Sequence, residues 1–262
     1  MILTTNEYGG ANSGLPIILI HGMGSAATAW QLVVPELAKN YRVITVDLPG
    51  HGQTQLPTGL DMSPKSLAEY VLETMDSLNI SKAHLVGNSL GGWTALELAA
   101  FEPERVASVL GLAPAGLWLA PFTVRYPGTA IARNLASSLK VVSPFGLKYE
   151  WGRKLGFGDV SPEWRKYSYQ LCLDATIALG NAAGYFPAWD AMLKKRFDEQ
   201  VSSTVPITIV FGDSDKTLPA SSCQEKSLAP KHATWLNWES CGHAPMWDYP
   251  ERVVAEIARL AK

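Results

Sequence analysis

Short runs of apolar, mostly β-branched residues recur along the chain, separated by longer stretches in which apolar positions return every three or four residues. The runs are Ile17–Ile20, Arg42–Asp47, Ala83–Asn88, Val106–Leu112, Ile207–Gly212 and Ala233–Trp238. They carry apolar side chains on both faces, as strands of a parallel sheet do when helices cover both sides. The helical pattern is clearest over Ser63–Leu78 and Pro250–Leu260. In the first, Ser63 is placed as N-cap with Pro64 at the first helical position, and Leu67, Tyr70, Val71, Met75 and Leu78 recur at helical spacing. The alternation predicts an α/β fold on a mostly parallel sheet flanked by helices.

The alternation breaks between about Leu117 and Gln200. That stretch reads as small helices punctuated by Pro and Gly, and it holds 14 of the chain's 25 aromatic residues. It is expected to be a helical cap inserted at 117–200, with 1–116 and 201–262 forming the core. Trp118, Trp151 and Trp189 are candidates for lining a substrate pocket, or for holding the small helices together. The stretch contains 11 Lys and Arg against 7 Asp and Glu, a net +4, while the rest has 11 against 17, a net −6. A positive cap over a negative core would favour anionic substrates.

Composition then removes several function classes. A chain of 262 residues suits one core with a small appended lobe. Its net charge of −2 gives no basic face for nucleic acid, which leaves a small molecule as the expected partner. The most apolar longer stretch, Val109–Pro121, is interrupted by two prolines and two glycines, so no membrane span is expected. The first basic residue is Lys39, which argues against a secretory signal at the start. Cys172, Cys223 and Cys241 are odd in number and widely spaced, as reduced thiols in a cytoplasm would be.

The chemistry concentrates at strand ends. Gly87-Asn88-Ser89-Leu90-Gly91 fits Gly-x-Ser-x-Gly, follows the apolar run ending at Val86, and leads into a helical stretch from Gly92. That is the context of a nucleophile elbow, where glycines permit a turn too tight for side chains. The helix after Ser89 directs backbone N–H groups at the position where an oxyanion would form, with Leu90 N–H as first donor. The second donor is assigned to Met23 N–H, in the loop His21-Gly22-Met23-Gly24 after the first core strand. His21 itself suits a structural role fixing that loop.

A serine hydroxyl needs a base, and the base needs a carboxylate to fix its tautomer. His21 and His51 lie in Gly-flanked loops, His84 starts a strand and His232 sits in a turn. His243, after the last strand in Cys241-Gly242-His243, is the candidate base. Asp213 and Asp215 both follow Ile207–Gly212, and chemistry alone does not separate them. No His, Asp or Glu cluster has metal-ligand spacing, and hydrolysis by such a triad needs neither metal nor cofactor.

With these residues in place, the chain resembles the α/β-hydrolase superfamily over nearly its whole length outside the cap. His21-Gly22-x-Gly24 is similar to the family's oxyanion loop, Asp47-Leu48-Pro49-Gly50-His51-Gly52 to its next loop, and Gly242-His243 with Pro250-Glu251-Arg252-Val253 to its base loop and last helix. Gly212-x-x-Asp215-x-x-x-Pro219 is similar to the acid motif, and the resemblance therefore implies Asp215 rather than Asp213. The family's usual leading hairpin is expected to be trimmed. A serine rather than an aspartate at the elbow implies acyl transfer on carboxylic esters, thioesters or lactones. Asn88 and the Cys241-Gly242-His243 run also resemble meta-cleavage-product hydrolases, which break carbon–carbon bonds. Against that subgroup stand Met23-Gly24-Ser25-Ala26-Ala27 and Ala244, which depart from its pattern. A ligand-binding protein of this fold with little turnover is the remaining alternative.

Overall fold

The computed structural model describes residues 1–10, 14–139 and 142–262. Seven strands form one sheet: β1 (Thr4–Tyr8), β2 (Ile17–Ile20), β3 (Val43–Asp47), β4 (Ala83–Asn88), β5 (Val106–Leu112), β6 (Ile207–Gly212) and β7 (Thr234–Trp238). Their order is β1-β3-β2-β4-β5-β6-β7. Only β1 runs antiparallel, pairing with β3, and the other pairs are parallel.

Helices α1 (Pro64–Ser77), α2 (Leu90–Phe101), α3 (Pro127–Leu139), α4 (Glu150–Phe157), α5 (Tyr169–Asn181), α6 (Tyr185–Met192) and α7 (Pro250–Leu260) are the longer ones. The strand β2 shows why both faces need cover. Ile18 and Ile20 join the core with Leu67, Val71 and Leu96 of α1 and α2, whereas Ile17 and Leu19 join a second core with Trp30, Val253 and Ile257. Successive side chains point to opposite faces, so an all-apolar strand requires helices on both sides. Ser63 caps α1, accepting from Ser66 N–H at 3.3 Å, with Pro64 in the first turn.

The chain leaves β2 toward β3 and leaves β4 toward β5, so the strand order reverses between these adjacent strands, and their carboxyl ends are where sheets of this kind place ligand sites. Between β5 and β6 the chain makes no strand among the described residues and instead builds α3 to α6. The predicted strands at 42–47 and 233–238 each begin one residue later than the apolar pattern suggests. Among the described residues, no helix is long and apolar enough to cross a membrane.

Candidate active site

Ser89 stands between the end of β4 and the first residue of α2, with φ 53° and ψ −116°. A non-glycine residue in such a region costs about 1–3 kcal/mol and persists only where its surroundings over-determine it. Here they do. Ser89 N–H donates to Leu112 carbonyl at 3.0 Å, and the Ser89 carbonyl accepts from Gly92, Trp93 and Ala115 N–H at 2.9 to 3.1 Å. The flanking glycines are sterically required: a Cβ at Gly87 would lie 2.1 Å from the Gly91 carbonyl oxygen, and one at Gly91 would lie 2.2 Å from that of Ile20.

The loop after β2 rests directly on this elbow. A Cβ at Gly22 would come within 3.1 Å of Ser89 Cβ, which puts the main chain entering Met23 against the serine. Leu90 opens α2, so its N–H is among those a helix leaves without an intrahelical acceptor. His21 holds the loop in shape: Nδ1–H donates to the Gly22 carbonyl at 2.7 Å and Nε2 accepts from Leu48 N–H at 3.0 Å. Burial pushes its pKa down to about 4, and that of His51 to about 3, so both rings are neutral spacers at ordinary pH.

Asp215 and His243 are in direct contact. His243 Nδ1 lies 2.8 Å from Asp215 Oδ2, while Asp215 Oδ1 accepts from Thr217 and Leu218 N–H, both at 2.8 Å. Burial acts to raise the carboxyl's pKa, but His243 and these N–H donors outweigh it and hold it below the usual value, so the group is ionised. An ionised carboxylate on Nδ1 makes that nitrogen the donor and leaves Nε2 with its lone pair. Asp213 is exposed and, among the described residues, accepts only from the Ser214 hydroxyl, at 2.9 Å. The remaining histidines are engaged elsewhere: His51 with the Pro49 carbonyl, His84 with Ser108 Oγ and His232 with the Val205 carbonyl.

Two residues to which the sequence assigned no structural role tie the loops together. The Asn88 side-chain amide donates to the Leu112 carbonyl and to the His243 carbonyl, both at 3.0 Å, linking the elbow to the base loop. Asp248 is the second. Its Oδ1 accepts from Ser161 Oγ and Tyr167 Oη, each at 2.5 Å, and its Oδ2 from Gly242 N–H at 2.7 Å. Burial raises its pKa, and these donors offset that only in part. Val160 adds a backbone bond, accepting from His243 N–H at 2.8 Å. The loop carrying His243 is therefore braced by the segment between β5 and β6. The motif around Gly242-His243 gave no sign of this, because Val160, Ser161 and Tyr167 lie 75 or more residues earlier in the chain.

The three tryptophans do not gather at one place. Trp118 and Trp189 are buried and both pack edge-on to Phe122, at 5.1 and 5.8 Å between centroids. Trp118 Nε1–H donates to the Lys195 carbonyl at 2.7 Å. Trp151 lies exposed at the surface, stacked on Tyr149.

The group described as the Alpha/beta hydrolase family matches residues 17–256. Two bacterial proteins match over 110 residues, 41% of this chain: the dihydrolipoyllysine-residue acetyltransferase component of an acetoin cleaving system from Pseudomonas putida at 44% identity, and 2-hydroxymuconate semialdehyde hydrolase from Pseudomonas sp. (strain CF600) at 40%. The matches span only 29% and 39% of those proteins. Pimeloyl-[acyl-carrier protein] methyl ester esterase from Aeromonas salmonicida is 28% identical over 268 residues, covering 99% of this chain and 98% of that one. Among solved structures, a putative lipase from Acinetobacter baumannii superposes with a TM-score of 0.76 at 21% identity, over 97% of this chain and 85% of that chain.

Proposed function

Because the chain belongs to the α/β-hydrolase family, we propose that it cleaves carboxylic esters, or related thioesters and lactones, through an acyl-enzyme on Ser89. The observation that carries this reading is the His243 Nδ1 to Asp215 Oδ2 contact, taken together with the strained elbow conformation of Ser89. His243 Nε2 takes the Ser89 proton as Oγ attacks the carbonyl carbon. The oxyanion is received by Met23 and Leu90 N–H, and its collapse expels the alcohol, which takes the proton from His243. Water, deprotonated by His243, then attacks the acyl carbon, the bond to Ser89 Oγ breaks, and His243 returns the proton to Ser89 as the acid leaves. No metal or cofactor enters this sequence of steps.

On the same reading, residues 117–200 form a cap over the core, with the buried Trp118 and Trp189 as its candidate substrate contacts and Trp151 left on its outer surface. The near full-length likeness to a methyl ester esterase supports an ester substrate. The 40% match to a semialdehyde hydrolase supports a second reading, carbon–carbon bond hydrolysis of an anionic dienoate. The two are separated by offering p-nitrophenyl esters and a carboxylated dienoate in parallel. Release of p-nitrophenol well above the buffer rate, with the dienoate spared, is expected. Dienoate cleavage with no ester turnover would replace the first reading by the second, and turnover of neither would leave a ligand-binding role.

A further inference from the structure

The segment between β5 and β6 is apolar on its outside as well as its inside. Among the described residues, fifteen large apolar side chains stand exposed, and ten of them lie between Leu119 and Leu155. Inward, Leu147 and Phe157 anchor the segment in a small core with Trp164 and Leu171. Outward, Ile131 and Leu135 of α3 and Trp151 and Leu155 of α4 form i, i+4 pairs in water, Leu155 being 83% exposed. Phe145 and Tyr149, both exposed, extend the α4 pair into one patch: Tyr149 stacks on Trp151 at 6.4 Å, a Cβ at Gly146 would lie 3.8 Å from the Trp151 ring, and Lys148 Nζ sits 5.7 Å over the Phe145 ring. An apolar patch this concentrated marks a contact surface rather than ordinary exposure.

Charge identifies what the patch contacts. Residues 117–158 contain six Lys and Arg but only one acid, Glu150, a net +5 in a chain whose total is −2. Glu150 is already paired with Arg165, so Lys148 and Lys154 stand exposed beside the apolar residues with no acid of this stretch to neutralise them. A second copy docked through the same face about a twofold axis would bring these charges against their own kind. An anionic lipid surface attracts them, while Trp and Tyr settle at the headgroup level and Phe and Leu enter the acyl boundary. We propose that the outer face of α4, with the turn before it, docks this protein peripherally on anionic bilayers. This proposal is independent of the chemistry at Ser89.

The test is co-sedimentation of the full chain with phosphatidylcholine vesicles, alone and with about a third phosphatidylserine. Wild type is expected to bind the mixed vesicles, to bind pure phosphatidylcholine severalfold less, and to be released by high salt. Phe145→Ser combined with Leu155→Ser is expected to weaken binding by about tenfold or more, with circular dichroism and melting temperature unchanged because both side chains are exposed. Lys148→Gln with Lys154→Gln should abolish the preference for phosphatidylserine. No binding to either vesicle would overturn the proposal, as would undiminished binding of the Phe145/Leu155 variant. So would a dimer in sedimentation velocity that this variant dissociates, since the face would then belong to a second copy.

Discussion

Asp215→Asn is expected to slow ester acylation by about ten-thousandfold, equivalent to about 5.5 kcal/mol of transition-state stabilisation. Local hydrogen bonding determines why the change is so costly. Thr217 and Leu218 N–H both point at Oδ1, so an amide at this position keeps its oxygen there and turns its NH₂ toward His243 Nδ1. That nitrogen must then accept, the proton moves to Nε2, and the ring presents a donor where a base is needed. Asp213→Asn provides the contrast. Its side chain is exposed and, among the described residues, accepts a hydrogen bond only from Ser214, so the change is expected to alter acylation by no more than about twofold. Single-turnover release of p-nitrophenol measures both, and loss confined to the 213 variant would assign the acid to that position.

Asp248→Ala is expected to destabilise the fold by about 3 kcal/mol or more, because Ser161, Tyr167 and Gly242 N–H would each lose an acceptor away from water. Asp248→Asn keeps an oxygen for Gly242 and should cost much less. The sign of its pH dependence follows from burial. A carboxyl whose pKa is raised on folding binds its proton more tightly in the folded chain, so its contribution is full below the ordinary value of 3.8 and is lost as pH rises through the raised value. The Asn side chain resembles the protonated form and carries no such loss. Relative to wild type, Asp248→Asn should therefore gain stability as pH rises across that window. Urea denaturation on either side of it tests both variants, and an alanine variant within about 0.5 kcal/mol of wild type would remove Asp248 from the bracing of the base loop.

What the sequence made legible follows from how local the determinants are. The parallel strands stand out because each is apolar on both faces, and the elbow because Gly87 and Gly91 sit where a Cβ would strike backbone at 2.1 and 2.2 Å. By contrast, β1 has a mostly exposed edge, Thr4–Tyr8, whose pairing with β3 leaves little hydrophobic pattern to read. The choice between Asp213 and Asp215 depends on the course of a turn after β6. Asp213 still donates its N–H to Trp238 carbonyl, while Asp215 has turned inward. Spacing does not encode that rotation, and the family resemblance was needed to choose. Asp248 was invisible for another reason: its meaning lies in Ser161 and Tyr167, distant in sequence and brought close only by the fold. Trp151 illustrates the same limit in reverse. Its residue type suggests a pocket, yet the fold places it on the outer face of α4.

The central claim is that an ester's acyl group passes through Ser89. Intact-mass measurement of the protein quenched during p-nitrophenyl ester turnover, followed by peptide mapping, tests it most directly. The account predicts one acyl group per chain, carried on the peptide containing Gly87-Asn88-Ser89-Leu90-Gly91 and absent from Ser89→Ala. An acyl group on any other residue, or one that persists in Ser89→Ala with turnover intact, would contradict it.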